Sequence, residues 1–193
     1  YFAEAGKEQK LHFFYFGCLT VIILINLAVF LTLREKLYLF YAVAIAGYLL
    51  FFMAISGFSF QHLYPEYPMV HSRALLISMP LLALFSVLFC REFLQTKIYN
   101  TKLDIALRLM MYFELFNFCS AIFFTYNTAI MISAISAFFF FSVLFVAGPL
   151  SWFTGIRAGI FFTIAWTPLT IGVLAMTGRF LGFLPENFMT LYA

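Results

Sequence analysis

Charged residues are scarce in this sequence. Asp, Glu, Lys and Arg make up 10% of its 193 residues, against about 25% in soluble domains. No run of Lys and Arg of the kind that binds nucleic acid is present, and there is no acidic tail. Hydrophobic residues reach 65%, and 29 residues are Phe, more than a soluble globule of this size could bury. The composition therefore predicts a chain that lies in the lipid bilayer and has no nucleic-acid partner.

Recognisable catalytic signatures are also missing. The sequence holds no GxxxxGK[ST] phosphate loop, no GxSxG nucleophile turn and no HExxH zinc motif, and its carboxylates do not form a pair. We therefore predict no enzyme activity, no cofactor and no metal within this chain. Cys18, Cys90 and Cys119 stand singly inside apolar runs and are expected to be small buried hydrophobic residues.

One polar stretch does hold residue types that bind metals. His62, Glu66 and His71 lie within Gln61–Ser72. Their spacing is irregular, whereas the ligands of a structural metal recur at set intervals. The pattern favours an ordinary polar loop between helices over a metal site.

Long uncharged segments are what the sequence has in abundance. Leu11–Leu33 and Leu37–Pro65 contain no Lys, Arg, Asp or Glu, and only Arg34-Glu35-Lys36 separates them. About 20 apolar helical residues cross the ~30 Å hydrocarbon core of a bilayer. The two segments therefore predict a transmembrane helical hairpin whose charged turn lies outside the lipid.

The remaining segments continue this pattern. The uncharged run Leu115–Ile156 is too long for one span, so we divide it at Tyr126-Asn127-Thr128. The predicted fold is all-α, a polytopic transmembrane helix bundle with six helices present and a truncated seventh. Residues 1–10 are predicted to form an extracytoplasmic linker. The predicted helices are 11–33, 37–60, 73–94, 105–126, 128–152 and 158–177, with the start of a seventh at 188.

The distribution of Lys and Arg predicts the orientation. With the amino terminus outside, the inner side carries seven of these residues: Arg34, Lys36, Arg91, Lys97, Lys102, Arg108 and Arg157. The outer side carries four: Lys7, Lys10, Arg73 and Arg179. Because the cytoplasmic loops of membrane proteins carry an excess of Lys and Arg, we expect a multi-pass cell (inner) membrane protein with its amino terminus outside.

The acid deep within a predicted span is Glu114. It lies about 14 Å into the helix predicted from Ile105, and Asn117 follows one turn later. Asn26 is the polar exception in the middle of the first helix. Ionisable groups in lipid are costly and mark candidate functional sites. Glu114 has three interpretations: a structural hydrogen bond between helices, a signalling switch, and an ion or proton path. We hypothesise that it bonds Asn26 or another polar group across the bundle.

Several short motifs resemble those of a known family. They are Tyr15-Phe16-Gly17 and Asn26 in the first helix, the charged turn and tyrosines of Arg34–Tyr41, Gly57-Phe58-Ser59-Phe60-Gln61, and the segment Gly182–Thr190 before the seventh helix. In order and spacing they are similar to the bacterial seven-transmembrane receptors with diverse intracellular signalling modules. The resemblance covers the membrane region and spans nearly the whole chain.

The resemblance implies further parts of the same polypeptide. It implies an extracytoplasmic sensor domain upstream and a cytoplasmic output module downstream, such as a histidine kinase, a nucleotide cyclase or a phosphatase. A second copy of the chain is another candidate partner. The resemblance supplies no ligand-binding motif within the helices, so the ligand-binding residues stay unknown. Two alternatives remain open: a transporter or channel that uses Glu114, and a membrane anchor with no signalling role.

Overall fold

Helices make up nearly all of the structure. It is a computed structural model that describes residues 2–59 and 68–180, and no strand occurs within these ranges. Over them, seven helices follow one another: α1 (Phe2–Leu33), α2 (Lys36–Ile55), α3 (Pro68–Phe93), α4 (Thr96–Tyr99), α5 (Thr101–Phe123), α6 (Tyr126–Phe153) and α7 (Ala158–Phe180).

Five of the helices are long and apolar enough to cross a membrane. Their candidate spans are His12–Leu33, Lys36–Ile55, Ser72–Phe93, Thr101–Phe123 and Tyr126–Phe153. In α7 the shorter apolar segment Ala158–Ile171 can be added. The predicted all-α, polytopic transmembrane fold is therefore confirmed. The predicted start of a seventh helix at 188 and the residues His62 and Glu66 lie outside the described residues, as does the side chain of His71.

The first helix begins well before the apolar segment. The sequence predicts residues 1–10 as a linker, whereas the structure has residues 2–10 as the first turns of α1. These residues are mostly Ala, Glu, Lys and Gln, which are good helix formers, and they contain no Pro. At 32 residues, α1 is about 48 Å long. It is therefore longer than the ~30 Å hydrocarbon core.

Two residues, Arg34 and Glu35, join α1 to α2. Arg34 has φ 58°, and its N–H donates to the carbonyl of Phe30 at 2.7 Å. A left-handed residue with this bond is a common way to end a helix. Glu35 then has extended backbone, and α2 starts at Lys36. The charged segment is thus a tight turn between two membrane helices.

Single residues at the helix starts explain why α3 and α5 begin earlier than the sequence predicts. α3 starts at Pro68, whose fixed φ suits the first helical position and whose missing N–H has no partner to lose there. α5 starts at Thr101, because the side-chain oxygen of Asn100 accepts a hydrogen bond from the N–H of Leu103 at 3.1 Å. The polar stretch before it, predicted as a loop, contains the short helix α4.

The chain divides into two compact units, of which Tyr1–Ser86 is the first. Within it α1 packs on α2 through aromatic rings near the start of the α1 span. The ring of Phe16 lies edge-on to that of Phe52, with centroids 6.0 Å apart, and the hydroxyl of Tyr15 donates to that of Tyr48 at 3.0 Å. Such tilted ring pairs add to the energy of apolar contact.

The second unit is Val87–Ala193, in which α6 packs against both α5 and α7. α6 and α7 approach each other closely at two glycines. A methyl group added to Gly159 would lie 2.6 Å from the backbone nitrogen of Trp152, and one added to Gly148 would clash with Thr163. Small residues let membrane helices bring their backbones together in this way.

Candidate functional site

A buried seam joins α5 to α6, which are linked by Phe124 and Thr125. Its residues recur at intervals of three and four along both helices, the spacing of helices that cross at a shallow angle. On α5 they are Leu103, Leu107, Met110, Glu114, Asn117 and Ala121. The buried residues of α6 at this spacing are Ala129, Ser133, Ser136, Phe140, Leu144, Ala147 and Ser151, of which Ser133 and Ser136 are hydrogen-bonded to α5.

In the middle of the seam, small side chains on α6 lie beside larger polar side chains on α5. Ala129, Ser133 and Ser136 line α6 beside the part of α5 that carries Glu114 and Asn117. Short side chains on α6 leave room for the longer acid and amide, and they bring a hydroxyl within reach of each. The local sequence of α6 therefore creates a polar compartment between the two helices.

Glu114 occupies the middle of this compartment. It is about 20 Å from the Thr101 end of α5 and only 1% exposed. Its Oε1 accepts a hydrogen bond from the Ser136 hydroxyl at 2.5 Å, and its Oε2 accepts one from Asn117 Nδ2 at 3.4 Å. A buried carboxyl group is costly unless it is hydrogen-bonded. These two bonds therefore hold the acid in the helix interface.

Asn117 extends the network to a second contact between the helices. Its Oδ1 accepts hydrogen bonds from the hydroxyls of Ser133 on α6, at 3.0 Å, and of Ser120 on α5, at 3.4 Å. The single hydroxyl hydrogen of Ser120 has an alternative, closer acceptor in the backbone carbonyl of Asn117, at 2.8 Å. All five side chains are buried. We call Glu114, Asn117, Ser120, Ser133 and Ser136 the polar cluster.

The structure brings together two of the three predicted site residues. Glu114 and Asn117 share a hydrogen bond, and the group that reaches Glu114 from another helix is Ser136. Asn26 lies in the other compact unit, where its Nδ2 donates to the carbonyl of Ile22 on its own helix at 2.8 Å. The serines are not singled out by the sequence alone. Their signal is the alternating spacing that they share with Ala129 on α6.

A second cluster, also missed from the sequence, lies at the start of α5. Asp104 is 2% exposed and bridges two cations. Its Oδ1 accepts from Arg91 Nε at 2.9 Å and from the Thr96 hydroxyl at 3.2 Å, while Oδ2 lies 2.6 Å from Arg108 Nη2. This ionic cluster ties the end of α3 to α4 and α5. The spacing of Asp104 and Arg108, four residues apart on a helix, is the signal that could have predicted part of it.

The chemistry of the polar cluster is hydrogen-bond exchange. It contains one carboxyl group, one amide and three hydroxyls, and a hydroxyl can rotate from one acceptor to another without leaving the interface. Among the residues that the structure describes, no group of three His, Cys, Asp or Glu could hold a metal ion. The arrangement is suited to joining two membrane helices in a defined register.

These features define a polytopic membrane protein with a buried polar cluster between two of its helices. Residues 8–193 match the family described as 7TM diverse intracellular signalling. The chain therefore belongs to this family, as its motifs indicate, and is a membrane module of a sensory receptor. No curated protein and no solved structure matches the chain.

Proposed function

We propose that this chain is the membrane module of a bacterial receptor that passes a signal from an extracytoplasmic sensor domain to a cytoplasmic output module of the same polypeptide. The observation that carries the proposal is the family match over residues 8–193. In this function the chain is not itself a catalyst. Its task is to change its helix packing when the sensor domain changes state.

The length of α1 supports this function. Its helix is continuous from Phe2 to Leu33, so about 48 Å of rod runs from the polar leading segment through the candidate span. A helix bends little over such a distance compared with a flexible linker. A displacement applied near Phe2 would therefore reach the turn at Arg34.

The polar cluster gives this module an interface whose packing can be changed. Glu114 and Asn117 each accept a hydroxyl from α6, so the α5–α6 register depends on directional bonds as well as on apolar contact. Interfaces between packed helices tend to have discrete arrangements rather than a continuous range. We infer that the cluster favours one of two such arrangements and that the incoming signal shifts the balance.

The proposed orientation can be tested with reporter fusions. Fusions after Lys36 and Lys97 should be active as cytoplasmic reporters, and a fusion after Glu66 should be active as an external reporter. The reason is the excess of Lys and Arg on the side of Arg34 and Lys97. Fusions with the opposite pattern would overturn the proposed orientation.

The role of Glu114 can be tested in the full-length receptor. Glu114→Gln keeps the size and hydrogen-bonding ability of the side chain, whereas Glu114→Leu removes both polar contacts. We expect the Leu variant to alter the ratio of output with and without signal, with a smaller change for Gln. Leu115→Ala is the control, because Leu115 is next in the chain and is half exposed. Unchanged signalling and stability in both Glu114 variants would contradict a switch at this position.

The transporter alternative predicts a different result for the same variants. Proteoliposomes holding the chain would then conduct protons or another ion, and Glu114→Gln would abolish that flux. Suppose that ion flux depends on Glu114 and that the output does not depend on the sensor domain. The transporter function would then replace the receptor proposal.

A further inference from the structure

Positive charge is concentrated at one end of the second compact unit. Where α3 passes through α4 into α5, the chain carries four cations and two acids, Glu92 and Asp104, which leaves a net charge of +2. The cations are Arg91, Lys97, Lys102 and Arg108, which we call the basic edge. The turn between α5 and α6, at the opposite end of the same unit, carries no charge. The unit is therefore strongly asymmetric in charge.

The basic edge lies at the level of the lipid headgroups. The α3 span ends at Phe93 and the α5 span begins at Thr101, so residues 94–100 stay within a few residues of the bilayer surface. Arg108 is about 10 Å along α5 from Thr101. Its guanidinium group, however, bonds Asp104, which lies one turn nearer to that surface. Long Arg side chains near the end of a span place their charge at the interface in this way.

Within the ionic cluster, two guanidinium groups share one carboxylate. The bonds to Asp104 use Nε of Arg91 and both Nε and Nη2 of Arg108. Each guanidinium group carries five N–H donors, so Asp104 engages only a minority of the donors of the two arginines. The side chain of Arg108 is 49% exposed. The cluster therefore has one positive charge in excess and N–H donors left for the oxygens of another anion.

The chain itself has few acids that could balance this charge. The other acids among the described residues are Glu4, Glu8, Glu35 and Glu114. Glu114 is enclosed in the polar cluster, and Glu35 stands between two cations in the α1–α2 turn. With one crossing of the bilayer per helix, Glu4 and Glu8 lie on the other side of the membrane from the basic edge. An anion from outside the chain therefore suits the basic edge best.

The short helix α4 adds apolar side chains beside the cations. Ile98 is 75% exposed and Tyr99 is 55% exposed, and they directly follow Lys97. Apolar and aromatic residues next to Lys or Arg are typical of segments that lie in the headgroup layer. A small soluble anion would gain nothing from these apolar groups, whereas a lipid would contact them with its glycerol and upper acyl groups.

We propose that the basic edge binds the phosphate group of an anionic phospholipid. Arg91 and Arg108 donate to the phosphate oxygens, because a guanidinium group pairs with phosphate through two parallel N–H bonds. Lys97 adds positive charge, and Ile98 and Tyr99 contact the lipid below its headgroup. Basic sites at the membrane surface bind anionic headgroups by this combination of contacts. Lipid binding here goes beyond the proposed function and does not depend on signalling, so the two proposals fail separately.

The first test measures the lipid affinity of the full chain in a neutral detergent. Native mass spectrometry counts the bound lipids as phosphatidylglycerol or phosphatidylcholine is added. Phosphatidylglycerol should bind more tightly by about 5-fold or more, and Arg108→Gln should raise its dissociation constant roughly 5- to 30-fold. Arg157→Gln is the control, because it removes the same charge from the exposed α6–α7 turn, outside the ionic cluster. It should change the constant by less than about 3-fold.

A second variant keeps the ionic cluster intact. Lys97 and Lys102 are exposed, so replacing both with Gln should raise the dissociation constant roughly 3- to 10-fold without lowering the unfolding temperature. Equal affinity for the two lipids would overturn the proposal, and so would equal losses in Arg108→Gln and Arg157→Gln. Inorganic phosphate that saturates the site as readily as phosphatidylglycerol would assign it to a soluble anion instead.

The second test locates the bound lipid. In a background with Trp152 and Trp166 replaced by Phe, Tyr99→Trp places a fluorophore in α4, and Tyr126→Trp places one at the start of α6, at the other end of the unit. In mixed bilayers, brominated phosphatidylglycerol should quench the Tyr99→Trp variant more strongly than brominated phosphatidylcholine does at the same fraction. The two lipids should quench the Tyr126→Trp variant equally. Equal quenching of the Tyr99→Trp variant by both lipids would contradict a site at the basic edge.

Discussion

The buried position of Glu114 depends on hydrogen bonds from two uncharged neighbours. Its carboxyl oxygens are held by Ser136 from α6 and by Asn117 from the next turn of α5. Neither donor carries a charge. The stability of the acid in this position therefore depends on hydrogen-bond geometry, and small changes in the neighbouring serine should be measurable.

Ser136→Ala should lower the free energy of unfolding by about 0.5–2 kcal/mol, because Glu114 loses its donor from the other helix. Ser142→Ala is the matched control: its hydroxyl donates to the carbonyl of Phe138 in the same helix, so the expected change is under about 0.5 kcal/mol. Reversible unfolding in micelles measures both. Equal losses for the two variants would show that the hydrogen bond between helices adds nothing.

The sequence was informative about the residues of the site only where charge or polarity interrupts an apolar run. Glu114 and Asn117 were predicted as candidates because they stand in a membrane segment, and the structure places them side by side. Ser133 and Ser136 could not be assigned a partner, since a serine in a helix usually bonds its own backbone. Only the packing of α5 on α6 shows which serines face the acid.

Among the helices and turns, Asp104 connects three elements through one carboxylate. Asp104→Asn should lower the free energy of unfolding by about 1–3 kcal/mol, because Arg91 and Arg108 lose their shared anion and Arg91 remains partly buried. Glu92→Gln, an exposed acid next to Arg91, should change it by less than about 0.5 kcal/mol. The measurement is again unfolding in micelles. A neutral effect of Asp104→Asn would mean that solvent replaces the bridge at no cost.

The close contact between α6 and α7 at Gly159 leads to a separate prediction. Gly159→Ala should destabilise the protein by about 1–3 kcal/mol, because the new methyl group would overlap the backbone of α6 near Trp152. Gly17→Ala, where nothing lies within 4 Å of the added carbon, should be neutral or stabilising by up to about 1 kcal/mol. Thermal unfolding in detergent compares the two. If Gly159→Ala behaved like Gly17→Ala, the close approach would not be required.

Helix positions were easier to predict than helix ends. The apolar runs indicated the six long helices, because a span of lipid requires a minimum length. The ends depend on single residues instead. Asn100 begins α5 by accepting from Leu103, and Gln95, with φ 48°, separates α4 from α3. The composition of the polar stretch between α3 and α5 does not show whether it forms a helix such as α4 or a loop.

At the scale of the whole molecule, we expect low solubility in water, because many large apolar side chains are exposed among the residues that the structure describes. Large apolar side chains such as Phe14, Leu109 and Phe161 are more than half exposed. Dilution of the purified chain below the critical micelle concentration should therefore cause aggregation, whereas reconstitution into lipid nanodiscs should keep it dispersed. Sedimentation separates the two cases. A detergent-free soluble monomer would contradict the membrane fold.

At this scale, composition was enough to predict the class of protein, because few charges and long uncharged runs leave lipid as the only suitable solvent. Short motifs in the right order then indicated the family. The ionic cluster around Asp104 was not predicted. The spacing of Asp104 and Arg108 could have indicated one of its ion pairs, but the bond to Arg91 depends on α3, α4 and α5 meeting at one point, which no local pattern shows.

The turn between α1 and α2 has a mechanical consequence. Two residues, Arg34 and Glu35, separate the helices, and such a tether reaches at most about 7 Å. A piston movement of α1 that would carry its end beyond this reach must therefore move α2 with it. The two helices of the hairpin would then move together. Inserting a few glycines into the turn should allow α1 and α2 to move independently.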